Sequence, residues 1–181
     1  LKKKYKKDLI NKSALLSLKP RIIVCNVDEK SLPNGNKYSL ACSKKFPDEN
    51  IIIVCADIED QIMSLQKNER EDFMVESGIK NTGLDNLIKT GYKTLGLSTF
   101  FTSGPEESRA WTIEKNSKAA DAAGVIHTDF KKKFIRAETV THEDFIKYKG
   151  FNECKNAGKL RLEGKDYLVN DGDVMYFRVG N

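Results

Sequence analysis

The sequence has two histidines, one tryptophan and four cysteines in 181 residues, and no two cysteines make a CxxC pair. Cys25, Cys42, Cys55 and Cys154 are spaced too irregularly to form a zinc site with His127 and His142. Neither a zinc finger nor a secreted disulfide scaffold is indicated; the thiols read as reduced core residues of a cytoplasmic protein. No run approaches the roughly 20 apolar residues that a membrane span needs, and the basic run Lys2–Lys7 leads into no secretory-type apolar segment. Charge of one sign is not in large excess. Lys and Arg number 31 against 26 Asp and Glu, a net +5 that tolerates polyanions without marking a DNA-specific clamp. GxxxxGK[ST] occurs nowhere, so no loop is present to cradle nucleotide phosphates and no Ser or Thr is placed to hold magnesium. The first residue is leucine, and the expectation is a piece of a longer protein.

What the chain does carry begins at Lys19-Pro20-Arg21-Ile22-Ile23-Val24-Cys25-Asn26-Val27-Asp28-Glu29. Arg21 to Cys25 is a short run rich in β-branched residues that turns abruptly polar, the pattern of a parallel strand buried on both faces. Ligands of open α/β sheets bind where the strands end, which puts Asn26 to Glu29 at the mouth of such a site. Asn-x-x-Glu is close to the base-reading Asn-Lys-x-Asp of GTPases, whose aspartate accepts two hydrogen bonds from guanine. A longer acid and a missing lysine favour adenine, whose amine and ring nitrogens suit the Asn26 amide and the Val27 backbone. An Asx-type turn closing a strand is the plainer alternative for the same residues.

Residues 1–19 combine the basic run with Leu9, Ile10, Ala14, Leu15, Leu16 and Leu18, spaced for the last turns of an amphipathic helix that Pro20 stops. Pro33-Asn34-Gly35 predicts a turn, Tyr38 to Phe46 a helix and Ile51 to Cys55 a second buried parallel strand, together a βαβ unit. Two helices are expected next. Asn68 and Glu71 resemble a capping arrangement before Phe73 and Met74. Leu84, Leu87, Ile88, Tyr92 and Leu95 form a helical stripe that reads as core packing. From Ser98 short strands take over: Thr99 to Thr102 and Arg109 to Ile113 as a hairpin, then Phe134 to Val140, Leu160 to Leu162, Tyr167 to Val169 and Val174 to Val179. Ala119 to Gly124 is an Ala-rich helix, and Thr141 an N-cap. The fold class is α/β followed by α+β, the second part a grasp-type sheet of about five strands holding a few helices.

Thr102-Ser103-Gly104-Pro105-Glu106-Glu107-Ser108-Arg109-Ala110-Trp111-Thr112-Ile113, then Ala122-Ala123-Gly124-Val125-Ile126-His127-Thr128-Asp129-Phe130, then Ala157-Gly158-Lys159 and Asp171-Gly172-Asp173-Val174 closely resemble the C-terminal region of the Obg-like ATPases, the YchF family. With Asn26-x-x-Glu29 and the helix from Gly83 to Leu97, the resemblance runs from Lys19 to Asn181. It implies the tail of a helical insertion over residues 1–19, the second half of a P-loop GTPase-like, Rossmann-like parallel sheet over 20–97, and a TGS domain, a ubiquitin-like β-grasp module, over 98–181. It implies a ribosome-associated cytoplasmic protein that binds and hydrolyses ATP, or GTP, with magnesium when complete. This chain alone is expected to be inactive, with no cofactor bound. In the base site the resemblance implies that Asn26 and Val27 contact adenine, in the loop that Glu29 completes. It also makes Cys55-Ala56-Asp57 the loop that closes over the base, in place of the family's usual Ser-Ala-Lys or Ser-Gly-Ala.

No catalytic residue and no metal ligand is assigned. Lys131, Lys132, Lys133 and Arg136, next to Phe130 and Phe134, would offer RNA a basic and aromatic face, with a solvated loop as the plainer reading. His127-Thr128-Asp129 invites an acid–base reading but has no nucleophile beside it, and a hydrogen-bonded turn explains it better. Trp111 is core or partner-facing. The competing function is a TGS-type RNA- or protein-binding module with no nucleotide activity. A half sheet also leaves an edge through which the chain would self-associate.

Overall fold

In the computed structural model residues 15–180 are described, and the chain divides between Leu95 and Gly96 into two compact units. The helix expected over residues 1–19 falls largely outside the described residues; its described part is one 3-10 turn, Leu16–Leu18. In the first unit, β1 (Ile22–Asn26) pairs in parallel with β2 (Asn50–Val54), so that Asn26 faces Val54. Helix α1 (Lys37–Lys45) connects them. Asn36 caps it, its Oδ1 accepting from the Tyr38 and Ser39 N–H groups at 3.0 and 3.1 Å, while Ser39 Oγ accepts from the Asn36 N–H at 2.8 Å. Gly35, at φ +82°, turns the chain into that cap where a side chain would strike Ser39 and Ile53.

Strand β1 is not buried on both faces as its apolar run predicts, since Val24 is 46% exposed. The sheet of this unit has two strands among the described residues, too few to be covered on both sides. Three helices follow β2 where two are expected. Helix α2 (Ala56–Ser64) begins inside the predicted loop Cys55-Ala56-Asp57. Its Ile58 and Ile62, four residues apart, bury with Cys55 against Leu32, Phe73 and Met74, and Asp57 and Glu59 occupy the first turn, where the helix dipole favours acids. Helix α3 (Lys67–Glu76) starts two residues earlier than Asn68 and Glu71 suggest, with the Glu69 carboxylate accepting from the Gln66 N–H at 3.2 Å. Helix α4 (Gly83–Leu95) runs along β2 from Gly83 beside Val54 to Thr94, whose Oγ1 accepts from Asn50 Nδ2 at 3.1 Å. Most of its apolar stripe is not core: Leu84, Ile88, Tyr92 and Leu95 are exposed, and Leu87 is half-buried. A sheet two strands wide is too narrow to cover the whole stripe.

The second unit is a five-stranded sheet in the order β4-β3-β7-β5-β6, from β3 (Leu97–Ser103), β4 (Ser108–Glu114), β5 (Phe134–Thr141), β6 (Arg161–Glu163) and β7 (Asp173–Val179). β3 and β7 pair in parallel through Phe101 and Val174, while the β3–β4, β5–β7 and β5–β6 pairs are antiparallel. One face buries Phe100, Ile113, Ala137, Met175 and Phe177 under helix α5 (Ala119–Ile126), whose Ala119, Ala122 and Ala123 let it approach closely. The short helix α6 (Thr128–Lys132) follows α5. On the other face, Val140, Val174 and Cys154 form a second core with Phe101, Phe145 and Phe151 under α7 (His142–Tyr148) and α8 (Phe151–Asn156). Thr141 caps α7, its Oγ1 accepting from the Asp144 N–H at 3.1 Å.

Tyr167 to Val169 is not a strand; it makes a single bridge, Leu168 to Lys118, because Tyr167 turns onto Asp173 instead. The Asp173 carboxylate is buried, and it accepts from Tyr167 OH at 2.7 Å, the Asn170 N–H at 2.9 Å and Arg161 Nη2 at 3.1 Å. A buried carboxylate is tolerated only when paired and hydrogen-bonded in this way. This node ties the turn before β7 to β6.

Two outcomes are expected. Thr139 Oγ1 is buried without a hydrogen-bond partner among the described residues, so Thr139→Val should raise stability by about 1 kcal/mol, seen as a higher urea midpoint by circular dichroism; a lower midpoint would contradict this. Burial, followed by its hydrogen bond to Asp173, raises the Tyr167 phenol above its ordinary pKa of 10.0. The folded state thus holds this proton more tightly, so its stabilisation is complete below pH 10.0 and is lost as the pH rises through the folded value. Tyr167→Phe should flatten that alkaline loss when midpoints are compared across this range.

Candidate functional site

The ends of β1 and β2 converge through direct bonds. The Val27 N–H donates to the Val54 carbonyl at 2.8 Å, extending the parallel ladder one residue beyond the strands. The Ala56 N–H, at the start of α2, donates to Asn26 Oδ1 at 3.0 Å. A side chain of one strand end thus satisfies a free amide of the helix that follows the other, in the manner of a cap supplied from outside the helix. Asn26 and Ala56 are exposed while Val27 is buried, so the exposed surface at this point is the Asn26 amide with backbone around it.

The five residues predicted for base recognition are only partly brought together. Asn26 and Ala56 are bonded to each other, and Val27, next to Asn26, is bonded to Val54. Glu29 opens a 3-10 turn, Glu29–Ser31, exposed and with no side-chain partner among the described residues. Cys55 is 1% exposed and turns its side chain into the core with Ile58 and Ile62. Asn26 Oδ1 is engaged by Ala56, which leaves Nδ2 as the donor with no partner among the described residues. An amide donor suits the ring-nitrogen acceptors of a purine.

A cavity of about 280 Å³ lies beside the same strand end, bordered by Leu32, Pro33, Val54, Cys55, Gly83 and Asn86. Asn26, Val27 and Glu29 do not line it. Glu59 is the polar group that organises its wall, accepting from the Gly83 N–H at 2.5 Å and the Leu84 N–H at 3.3 Å, so that a carboxylate of α2 caps α4. Sequence reasoning missed Glu59, because the Gly83 and Leu84 amides that it caps lie 24 and 25 residues further along the chain.

Among the described residues, two of the cysteines are held away from the thiolate form. Burial, followed by the neighbouring Cys42 thiol, raises the Cys25 pKa. Burial, followed by Asp144 and Glu153, raises that of Cys154. Raised thiol pKa values keep sulfur protonated and inert. His127 caps α6, its Nδ1 accepting from the Asp129 N–H at 3.2 Å, which is the turn that the triplet predicts. Among the described residues no cluster of His, Cys, Asp or Glu could hold a metal ion, and no helix is long and apolar enough to cross a membrane.

In the second unit the structure splits the predicted basic patch. Lys131 is bound to Asp121 of α5 at 2.6 Å, on the side of the sheet that α5 covers. Lys132 is exposed, and Lys133 follows as the C-cap of α6. Arg136 projects from the opposite sheet face, in register with Arg178. Phe130 and Phe134 pack against the core and offer no stacking surface beside the lysines. Trp111 is half-buried against that core, with Nε1 donating to Thr102 Oγ1 at 2.9 Å and the Arg109 guanidinium over its ring at 4.2 Å.

Comparisons with known proteins agree along nearly the whole chain. Residues 97–180 match the family model YchF-GTPase_C, described as a protein of unknown function (DUF933). The chain is 47% identical over 174 residues to the ribosome-binding ATPase YchF of Bacillus subtilis, covering 94% of this chain and 48% of that protein. It is 39% identical over 176 residues to Obg-like ATPase 1 of Pongo abelii, covering 94% and 44% respectively. The solved YchF GTPase of Schizosaccharomyces pombe superposes with a TM-score of 0.82 at 35% identity, over 94% of this chain and 46% of that one. The chain therefore spans about half the length of the relatives it matches. A segment with this identity, this fold and this C-terminal family match belongs to the YchF family, the Obg-like ATPases.

Proposed function

We propose that this chain is the base-recognising and ribosome-contacting part of an Obg-like ATPase, which binds and hydrolyses ATP with magnesium in the cytoplasm when complete. One observation carries the reading: Asn26 at the end of β1 is bonded to Ala56 at the start of the helix that follows β2, which fixes an exposed amide where α/β sheets bind ligands. An Asn26 amide with a free Nδ2 and the Val27 backbone suit adenine, with Glu29 at the rim and Cys55 and Ala56 supplying backbone to the closing loop. Phosphates and magnesium would be held by residues this segment does not contain, since it has no Gly-rich phosphate loop. The chain by itself turns over no ATP and holds nucleotide feebly.

The second unit supplies the ribosome contact in this reading. Its strand order, with a parallel central pair between two antiparallel arms, supports a β-grasp of the TGS type. Of the basic residues Lys131, Lys132, Lys133 and Arg136, the proposed contact with RNA is Arg136, since Lys131 is paired with Asp121 on the other side of the sheet. The name of the Bacillus subtilis relative, a ribosome-binding ATPase, supports the same partner. A binding module with no nucleotide role is the second reading, and the engagement of Asn26 Oδ1 by Ala56 favours it to the extent that this side chain already has a structural task.

In the complete protein, Asn26→Ala is expected to weaken ATP binding about three- to tenfold, the worth of one uncharged hydrogen bond. Equilibrium binding of a fluorescent ATP analogue measures it, with ribosome sedimentation as the control that should not change. Unaltered ATP affinity would remove Asn26 from the base site and leave the second reading.

A further inference from the structure

The antiparallel register of β5 and β7 sets Arg136 directly opposite Arg178 and Glu138 directly opposite Tyr176, on the sheet face that also carries Val140 and Val174. Helices α7 and α8 cover the Val140–Val174 rung, and their cover ends at Tyr176, whose ring meets Phe151 with centroids 6.4 Å apart. Beyond it the face is open. Arg136 and Arg178 are exposed, Tyr176 is 43% exposed, and Leu162, opposite Glu138 on β6, is 59% exposed.

Like charges directly across a strand pair destabilise a sheet, so this pair does not serve the fold. Glu138 balances one of the two, accepting from Arg178 Nε at 3.0 Å. Arg136 has no partner among the described residues, which leaves one unbalanced guanidinium. Arg178 lies over the Tyr176 ring, with its guanidinium carbon 4.5 Å from the centroid, so the exposed tyrosine holds a second planar group beside it. Flat guanidinium and phenol groups stack nucleobases, and an unpaired arginine suits a phosphate. An acidic peptide would use the charge but not the plane. Duplex RNA keeps its bases stacked inside, whereas a single strand can lay them on the sheet.

We propose that the second unit binds single-stranded RNA on this face, with Arg136 on a phosphate and Arg178 with Tyr176 as the stacking surface, an inference that rests on the ribosome reading above. It places the RNA on the side of the sheet opposite Lys131, and it brings in Arg178 and Tyr176 beside Arg136.

The test uses the full 181-residue chain in two assays. Sedimentation with ribosomes examines the underlying reading, and fluorescence anisotropy with a labelled single-stranded RNA of about 12 nucleotides examines the surface. Arg136→Gln should weaken RNA about tenfold and lower the slope of log affinity against log salt by about 0.7. Tyr176→Ala should weaken it about tenfold with the slope unchanged, while Tyr176→Phe, which keeps the ring, binds like the wild type. Arg178→Lys, which keeps charge but loses the plane, should cost about fivefold. RNA binding that is the same in Arg136→Gln, Tyr176→Ala and Arg178→Lys would overturn the proposal, as would displacement of RNA by polyglutamate as effective as by unlabelled RNA. Ribosome sedimentation that fails while the oligonucleotide results hold would overturn only the ribosome reading.

Discussion

The hydrogen bond from the Ala56 N–H to Asn26 Oδ1 is the constraint on which the first unit depends. Parallel pairing brings the two strands to the same end, and the Val27–Val54 bond carries the ladder one step further. The Asn26 side chain then fixes where α2 begins, and α2 in turn places Glu59 on the amides of Gly83 and Leu84 to begin α4. One amide side chain is therefore linked through two helix starts to the far wall of the unit. The same bond determines which half of the Asn26 amide is left for a ligand: its oxygen is engaged and its nitrogen remains. That asymmetry suits an acceptor such as a purine ring nitrogen better than a donor.

The second unit reaches its order by other means. Its five strands are covered on one face by an alanine-rich helix and on the other by two short ones, and a buried carboxylate at Asp173 fastens the turn before β7 to Arg161 on β6. The cover on the second face is shorter than the strands beneath it. The rung at Arg136 and Arg178 is left open by that mismatch, as the stripe of α4 is left open by a sheet two strands wide.

Much of this was legible in the sequence, because strand and turn signals are local. The runs at Ile22 and Ile51, the turn at Gly35, the hairpin around Gly104 and the cap at Thr141 all appear where residue chemistry puts them. Burial was less legible. Periodicity says that Leu84, Ile88, Tyr92 and Leu95 share a face, but whether anything covers that face is a tertiary matter, and Val24 fails as an interior residue for the same reason. The start of α2 was obscured because its N-cap residue, Cys55, makes no side-chain cap; the Ala56 amide is satisfied by Asn26 on another strand. Register hid the rest. Arg136 reads from sequence as a neighbour of Lys133, whereas pairing puts it beside Arg178 on the other face of the sheet. Of the residues expected to read a base, Ala56 is bonded to Asn26 and Val27 to Val54, Glu29 stands apart at the rim, and Cys55 points inward.

The central claim is that this chain carries a surface for a base without a grip for phosphates. Titrating it separately with adenosine and with ATP, and following backbone amide resonances by NMR, addresses that claim most directly. The account predicts that both ligands shift Asn26, Val27 and Ala56 with the same feeble affinity, because the phosphates of ATP find nothing to bind. ATP binding much tighter than adenosine, or shifts that miss those three amides, would contradict it.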